Sequence, residues 1–138
     1  MRILVTGSRD WSDADTIRKA FRTYSRDVLI PSDVMVVHGA AHGADNLAGK
    51  IAHMFGMMTE EHPANWDDCG DDCGPEHWRY RMGKPYCPRA GFKRNELMVN
   101  LGADVCVAFI RNGSKGASMT ARMAEKAGIP VHRYIQDD

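Results

Sequence analysis

A chain of 138 residues has room for one domain with its own core, and 43% hydrophobic with 26% charged residues excludes a disordered tail, a collagen-like chain or a coiled coil. Lys and Arg number 18 and so do Asp and Glu, so no global field draws the chain to nucleic acid or to an anionic membrane. No apolar run nears the roughly 20 residues that span a bilayer, and Met1-Arg2 leads straight into Ile3-Leu4-Val5 with no cleavage site, which predicts a cytoplasmic protein without a membrane partner.

Arg2 to Thr6 is a β-branched run closed by Gly7-Ser8, the pattern of a buried strand ending in a tight turn. A helix should follow, capped by Ser12, with Ile17, Ala20, Phe21 and Tyr24 at helical spacing before Pro31. Val34 to Val37 predicts a second buried strand, and Gly43-Ala44-Asp45 opens a second helix whose apolar face is Leu47, Ala48, Ile51, Ala52 and Phe55, stopped by Gly56. Met57 to His62 is a weaker strand. Pro63 to Pro88 has neither period and needs something to order it. Beyond it the pattern gives a helix from Ala90 to Leu101, a strand from Asp104 to Ile110, a helix from Ser118 to Ala127 and a last strand from Pro130 to Tyr134. Strands alternating with helices predict an α/β fold, a mostly parallel sheet of about five strands covered on both faces. The reading is one domain over 1–138 carrying an insertion over 67–88, between strand three and the helix before strand four.

Ligands of such sheets sit beyond the carboxyl ends of the strands. After strand one, Gly7 would let the backbone approach a ligand while Ser8 and Arg9 offer donors to an anion; a plain turn with a surface Arg is the alternative. After strand four, Gly113, Ser114, Lys115 and Gly116 expose backbone N–H groups at a helix N-terminus, an anion-binding geometry. After strand two, Gly39 allows close approach, and Asp45 either caps its helix or holds a ribose hydroxyl.

Met1 to Trp11, Val36 to Asp45, Pro63-Ala64-Asn65-Trp66, Ala90 to Asn95 and Gly113 to Gly116 together resemble the YspA-like (cpYpsA-related) branch of the SLOG superfamily, in order over nearly the whole chain. The resemblance implies a Rossmann-like three-layer sandwich that binds a nucleotide or a nucleotide derivative. That superfamily also holds cytokinin-activating phosphoribohydrolases and the single-strand DNA-binding protein of natural transformation. The hydrolases carry an Arg on the helix before strand four and a Pro-Gly-Gly-x-Gly-Thr-x-x-Glu loop after it. Arg94, with Met98 four residues on, matches the first element. In the second, Gly113 and Gly116 align with glycines, but Ala117 replaces the Thr and Thr120 stands where the Glu would be. Losing that carboxylate removes the obvious group for glycosidic cleavage, so binding survives the departure better than catalysis. Arg94 would grip phosphate if the chain were a hydrolase. A homodimer is implied by the resemblance alone.

Within the insertion, Cys69-x3-Cys73-x3-His77-x9-Cys87 supplies three thiolates and one imidazole, the ligand set of a closed, structural zinc site that would order this polar loop. A labile thiol cluster and inert cysteines are the alternatives. Arg79, Arg81, Lys84, Arg89, Lys93 and Arg94 follow with Trp78, Tyr80 and Tyr86 interleaved, a pattern shared by single-strand nucleic-acid platforms and by solvated faces over a small core; the neutral whole favours the second. Cys106, within a Val/Ala strand, reads as an inert core residue. The leading expectation is a binder of a nucleotide-derived, phosphate-bearing small molecule through Gly7, Ser8, Arg9, Gly39, Asp45, Arg94, Gly113, Ser114, Lys115 and Gly116. An N-glycosidic phosphoribohydrolase and a single-strand nucleic-acid-binding module are the alternatives.

Overall fold

A computed structural model describes residues 1–64, 79–81, 84–86 and 89–137. In chain order the elements are β1 (Arg2–Gly7), α1 (Ala14–Ser25), β2 (Met35–His38), α2 (Ala44–Met54), β3 (Met58–Glu61), β4 (Arg79–Arg81), β5 (Lys84–Tyr86), α3 (Arg89–Asn100), β6 (Val105–Arg111), α4 (Lys115–Lys126) and β7 (Val131–Gln136). Five strands form one sheet in the order β3-β2-β1-β6-β7, every neighbouring pair parallel, while β4 and β5 form a separate antiparallel pair. The α/β sheet read from the sequence is thus present.

Parallel strands covered on both faces read as near-continuous apolar runs, and Ile3 to Val5, Val36-Val37 and Val105 to Ile110 do. Ile3, Val5, Val36, Val107 and Phe109 pack with Ile17 and Phe21 of α1 and Ala48 and Ile51 of α2. Leu4, Val37 and Cys106 alternate to the opposite side, against Met98 and Val99 of α3 and Ala124 of α4, and Ala108 and Ile110 pack on Ala117 and Ala121. The result is three layers. Trp11 closes one end of the core, its ring 5.4 Å from Phe109 and its indole N–H donating to Asp13 O at 2.9 Å. Burial pushes the Cys106 thiol up to about 12, as expected of an unreactive core cysteine.

Element ends shift by a residue or two along the chain, and three of the differences from the sequence reading have a clear physical reason. The N-cap of α1 is Asp13 rather than Ser12, because the Asp13 carboxylate reaches both the N–H of Thr16 at 3.1 Å and its hydroxyl at 2.6 Å. The fourth helix begins at Lys115 rather than Ser118, so the small residues that looked like loop form its first turn. The β4–β5 pair lies where no period was legible, since strands of three residues are too short to show one.

From β1 the chain winds outward through β2 to β3, then crosses back to β6 and on to β7. The crossover leaves a crevice at the carboxyl ends of β1 and β6, where their loops diverge. No helix among the described residues is long and apolar enough to cross a membrane.

Candidate functional site

The crevice is a cleft of about 570 Å³ at that switch point, walled by the loops after β1 and β6, the start of α2, one side of α3 and the first turns of α4. Its floor is made by close backbone packing. The N–H of Ser8 donates to Phe109 O at 2.9 Å, and the N–H of Ala44 donates to Ser8 O at 3.2 Å, drawing α2 down onto the end of β1. A Cβ built on Gly7 would lie 2.2 Å from the Cβ of Ala44, so only glycine lets strand and helix meet here.

Seven of the ten residues singled out in the sequence line the cleft: Gly7, Ser8, Arg9, Asp45, Arg94, Ser114 and Gly116. Ser8 is 1% exposed, and its hydroxyl accepts from the N–H of Arg111 at 2.7 Å, so it ties the two loops together. Gly39 lies beneath Arg94: a Cβ there would sit 2.1 Å from the guanidinium Nη1. Gly113 and Lys115 fall outside the lining; Gly113, at φ +65°, makes the turn that aims α4 at the cleft.

Arg94 is held in a slot. Its Nη1 donates to the carbonyls of Gly39 and, at 3.3 Å, His62, and its Nε donates to Asn95 Oδ1 at 2.7 Å. Behind His62, the Glu60 carboxylate takes Arg2 Nη2 and His62 Nε2 at 2.8 Å each, and the Arg2 bond is the first cause of its drop to about 2. Burial lowers the pKa of the Arg94 guanidinium from its ordinary value, and the Asp45 carboxylate works the other way.

Asp45 is 6% exposed. Its Oδ2 accepts from the N–H groups of Gly39 at 3.1 Å and Ala41 at 3.4 Å, so it braces the loop after β2. The N-cap of α2 is Gly43, with no side-chain cap, so capping is not what Asp45 does. Burial pushes its pKa up to about 6, against the pull of Arg94, the two N–H groups and Arg9.

The sequence reading missed Arg111 and Asn112, which line the cleft from the end of β6; Arg111 Nη1 donates to Asp10 O at 3.1 Å. The signal was present, since Arg111 follows the apolar run Val105 to Ile110 at the same edge of the sheet as Arg9. It also missed Asn95, Phe92 and Met119, because a helix face turned toward a cleft has no pattern distinct from one turned toward solvent. His38, at the end of β2, is 2% exposed; its Nδ1 accepts from the N–H of Ala40 at 3.0 Å, and burial lowers its pKa.

Thr120 is fully buried, and its hydroxyl donates to Gly116 O, one turn back in α4, at 3.1 Å. Glu125 pairs with Arg133 of β7. Cys69, Cys73, His77 and Cys87, the expected metal ligands, lie outside the described residues.

Residues 1–68, which hold β1, the loop after β2 and α2, match the model of the YAcAr family, described as the YspA, cpYpsA-related SLOG family. The Gene 61 protein of Mycobacterium phage D29 is 39% identical over 140 residues, covering 96% of this chain and 95% of its own. The chain belongs to the YspA, cpYpsA-related SLOG family. Its fold is also that of DNA processing protein A from Streptococcus pneumoniae, with a TM-score of 0.64 over 96% of this chain at 20% identity. The SLOG chain spans 49% of that larger protein, and at this identity the likeness shows the fold alone.

Proposed function

We propose that this SLOG domain binds a nucleotide-derived, phosphate-bearing small molecule in the cleft at the carboxyl ends of β1 and β6. The observation that carries the reading is that one cleft combines Arg9, Arg94 and Arg111, the uncapped N-terminus of α4 at Ser114 to Gly116, and an apolar wall of Phe92, Met98 and Met119. The guanidinium groups and helix N–H groups suit a phosphate; the apolar wall suits the flat face of a base. Binding is favoured over hydrolysis because the position of the missing Glu is filled by a buried hydroxyl already bonded to its own helix, and Glu125 is engaged by Arg133.

Native mass spectrometry of the purified protein, followed by mass spectrometry of what it releases, should find a phosphate-bearing nucleotide derivative. Arg9→Ala should weaken that ligand by about 1 to 3 kcal/mol, the range for a charge-assisted hydrogen bond, with an unchanged melting temperature. Lys115→Ala should cost less, since Lys115 is outside the cleft lining. Wild-type affinity in Arg9→Ala would move the site elsewhere.

A structural zinc held by Cys69, Cys73, His77 and Cys87 is the second part of the proposal. What supports it is the sequence: three thiolates and one imidazole at this spacing, inside a polar insertion that has no apolar period of its own. Arg79 pairs with Tyr86, and His77 and Cys87 stand within two residues of that pair in the sequence. Elemental analysis should find about one zinc per chain, and Cys73→Ser should lose both the metal and thermal stability. Metal-free protein of wild-type stability would refute it.

A further inference from the structure

Asp45 has two carboxylate oxygens with different fates. Oδ2 holds the N–H groups of Gly39 and Ala41, whereas Oδ1 is buried and has no hydrogen-bond partner among the described residues. The nearby cation does not supply one: Arg94 directs Nη1 to the Gly39 and His62 carbonyls and Nε to Asn95. A buried carboxylate oxygen without a donor is costly, and such groups persist where an absent molecule completes the bond. Asp45 lines the same cleft as the N-terminus of α4, so the molecule that completes it is the cleft's own ligand.

The chemistry of that donor is constrained. A carboxylate repels a phosphate, so the part of the ligand beside Oδ1 carries no negative charge. A hydroxyl supplies a proton to the oxygen while leaving the phosphate to the helix N-terminus and the guanidinium groups. We propose that Oδ1 of Asp45 accepts a hydrogen bond from a sugar hydroxyl of the ligand, so that the cleft selects ribonucleotide derivatives over those lacking ribose hydroxyls. This rests on the phosphate-binding reading above and specifies the sugar within it.

The test compares the four ribonucleoside 5′-monophosphates with their 2′,3′-dideoxy counterparts by titration calorimetry at pH 8. That is above the value of about 6 to which burial raises Asp45, so the carboxyl is ionised and accepts only. The wild type should bind at least one ribonucleotide roughly tenfold or more tighter than its dideoxy counterpart, because a site built to bond a hydroxyl rejects the analogue lacking it. Asp45→Asn keeps a carbonyl oxygen for Gly39 and Ala41 and puts an NH2 in the place of Oδ1, replacing an acceptor with a donor. That variant should bind both forms alike, its fold verified by thermal melting. Equal binding of both forms by the wild type, or discrimination kept in Asp45→Asn, would overturn the inference and leave the phosphate site standing. Binding of no nucleotide at all would overturn it together with the reading on which it rests.

Discussion

Gly43→Ala is expected to be among the most damaging single-methyl changes in this protein, lowering stability by about 3 kcal/mol or more and the melting temperature by roughly 10 °C or more. Gly43 sits at φ +81° and ψ −124°, a conformation closed to residues with a Cβ. The added methyl would also lie 2.4 Å from both the Ser8 and Arg9 carbonyl oxygens. Those atoms are backbone, and Ser8 O is fixed from two sides by the N–H groups of Trp11 and Ala44 at 3.2 Å each. Relief therefore requires moving the start of α2 away from β1, which opens the cleft floor. A calorimetric melt of the variant checks this; a midpoint within a few degrees of wild type would mean that the loop shifts without cost.

Asp45→Asn should act in the opposite direction, and only at higher pH. Burial raises the Asp45 carboxyl from 3.8 to about 6 in the folded protein, so below 3.8 both folded and unfolded chains hold the proton and the group is neutral to stability. As pH rises through that interval the unfolded chain releases the proton first, and the folded state is penalised until the penalty is complete above about 6. The interval corresponds to about 3 kcal/mol as an upper bound. Arg94 and Arg9 are the charged groups that limit it. An uncharged side chain of the same shape escapes the penalty, so the variant should match the wild type near pH 3.5 and melt several degrees higher at pH 8. A gap between the two proteins that fails to widen from pH 4 to pH 6.5 would show that the buried carboxylate costs nothing. A buried carboxyl whose ionisation costs stability at neutral pH is in keeping with a role toward a ligand.

The separation between what was legible in the residues and what was not follows the range of the forces involved. Strands and helices are written locally: Ile3-Leu4-Val5 and Val105 to Ile110 are apolar at consecutive positions because both faces are buried, and α2 shows a single apolar stripe because one face is. The glycine-bearing turns after β1, β2 and β6 were equally local signals, and with the parallel alternation they placed the cleft at one edge of the sheet. The sequence places the start of the fourth helix too late because Gly116, coming directly after Asn112-Gly113-Ser114, reads as part of the turn, whereas the packing of Ala117 against Ala108 and Ile110 draws it into the first helical turn.

Periodicity and turn chemistry act over a few neighbours, and from them follow the α/β sheet, the edge that carries the cleft and seven of the residues lining it. What each of those residues touches depends on the folded chain. Ser8 is bonded to Arg111 across 103 positions, Arg94 is seated on the carbonyls of Gly39 and His62, and one oxygen of Asp45 is engaged while the other is buried with no partner among the described residues. These are pairings between groups far apart in the chain, and burial and hydrogen-bond geometry exist only once the sheet has brought the three loops together.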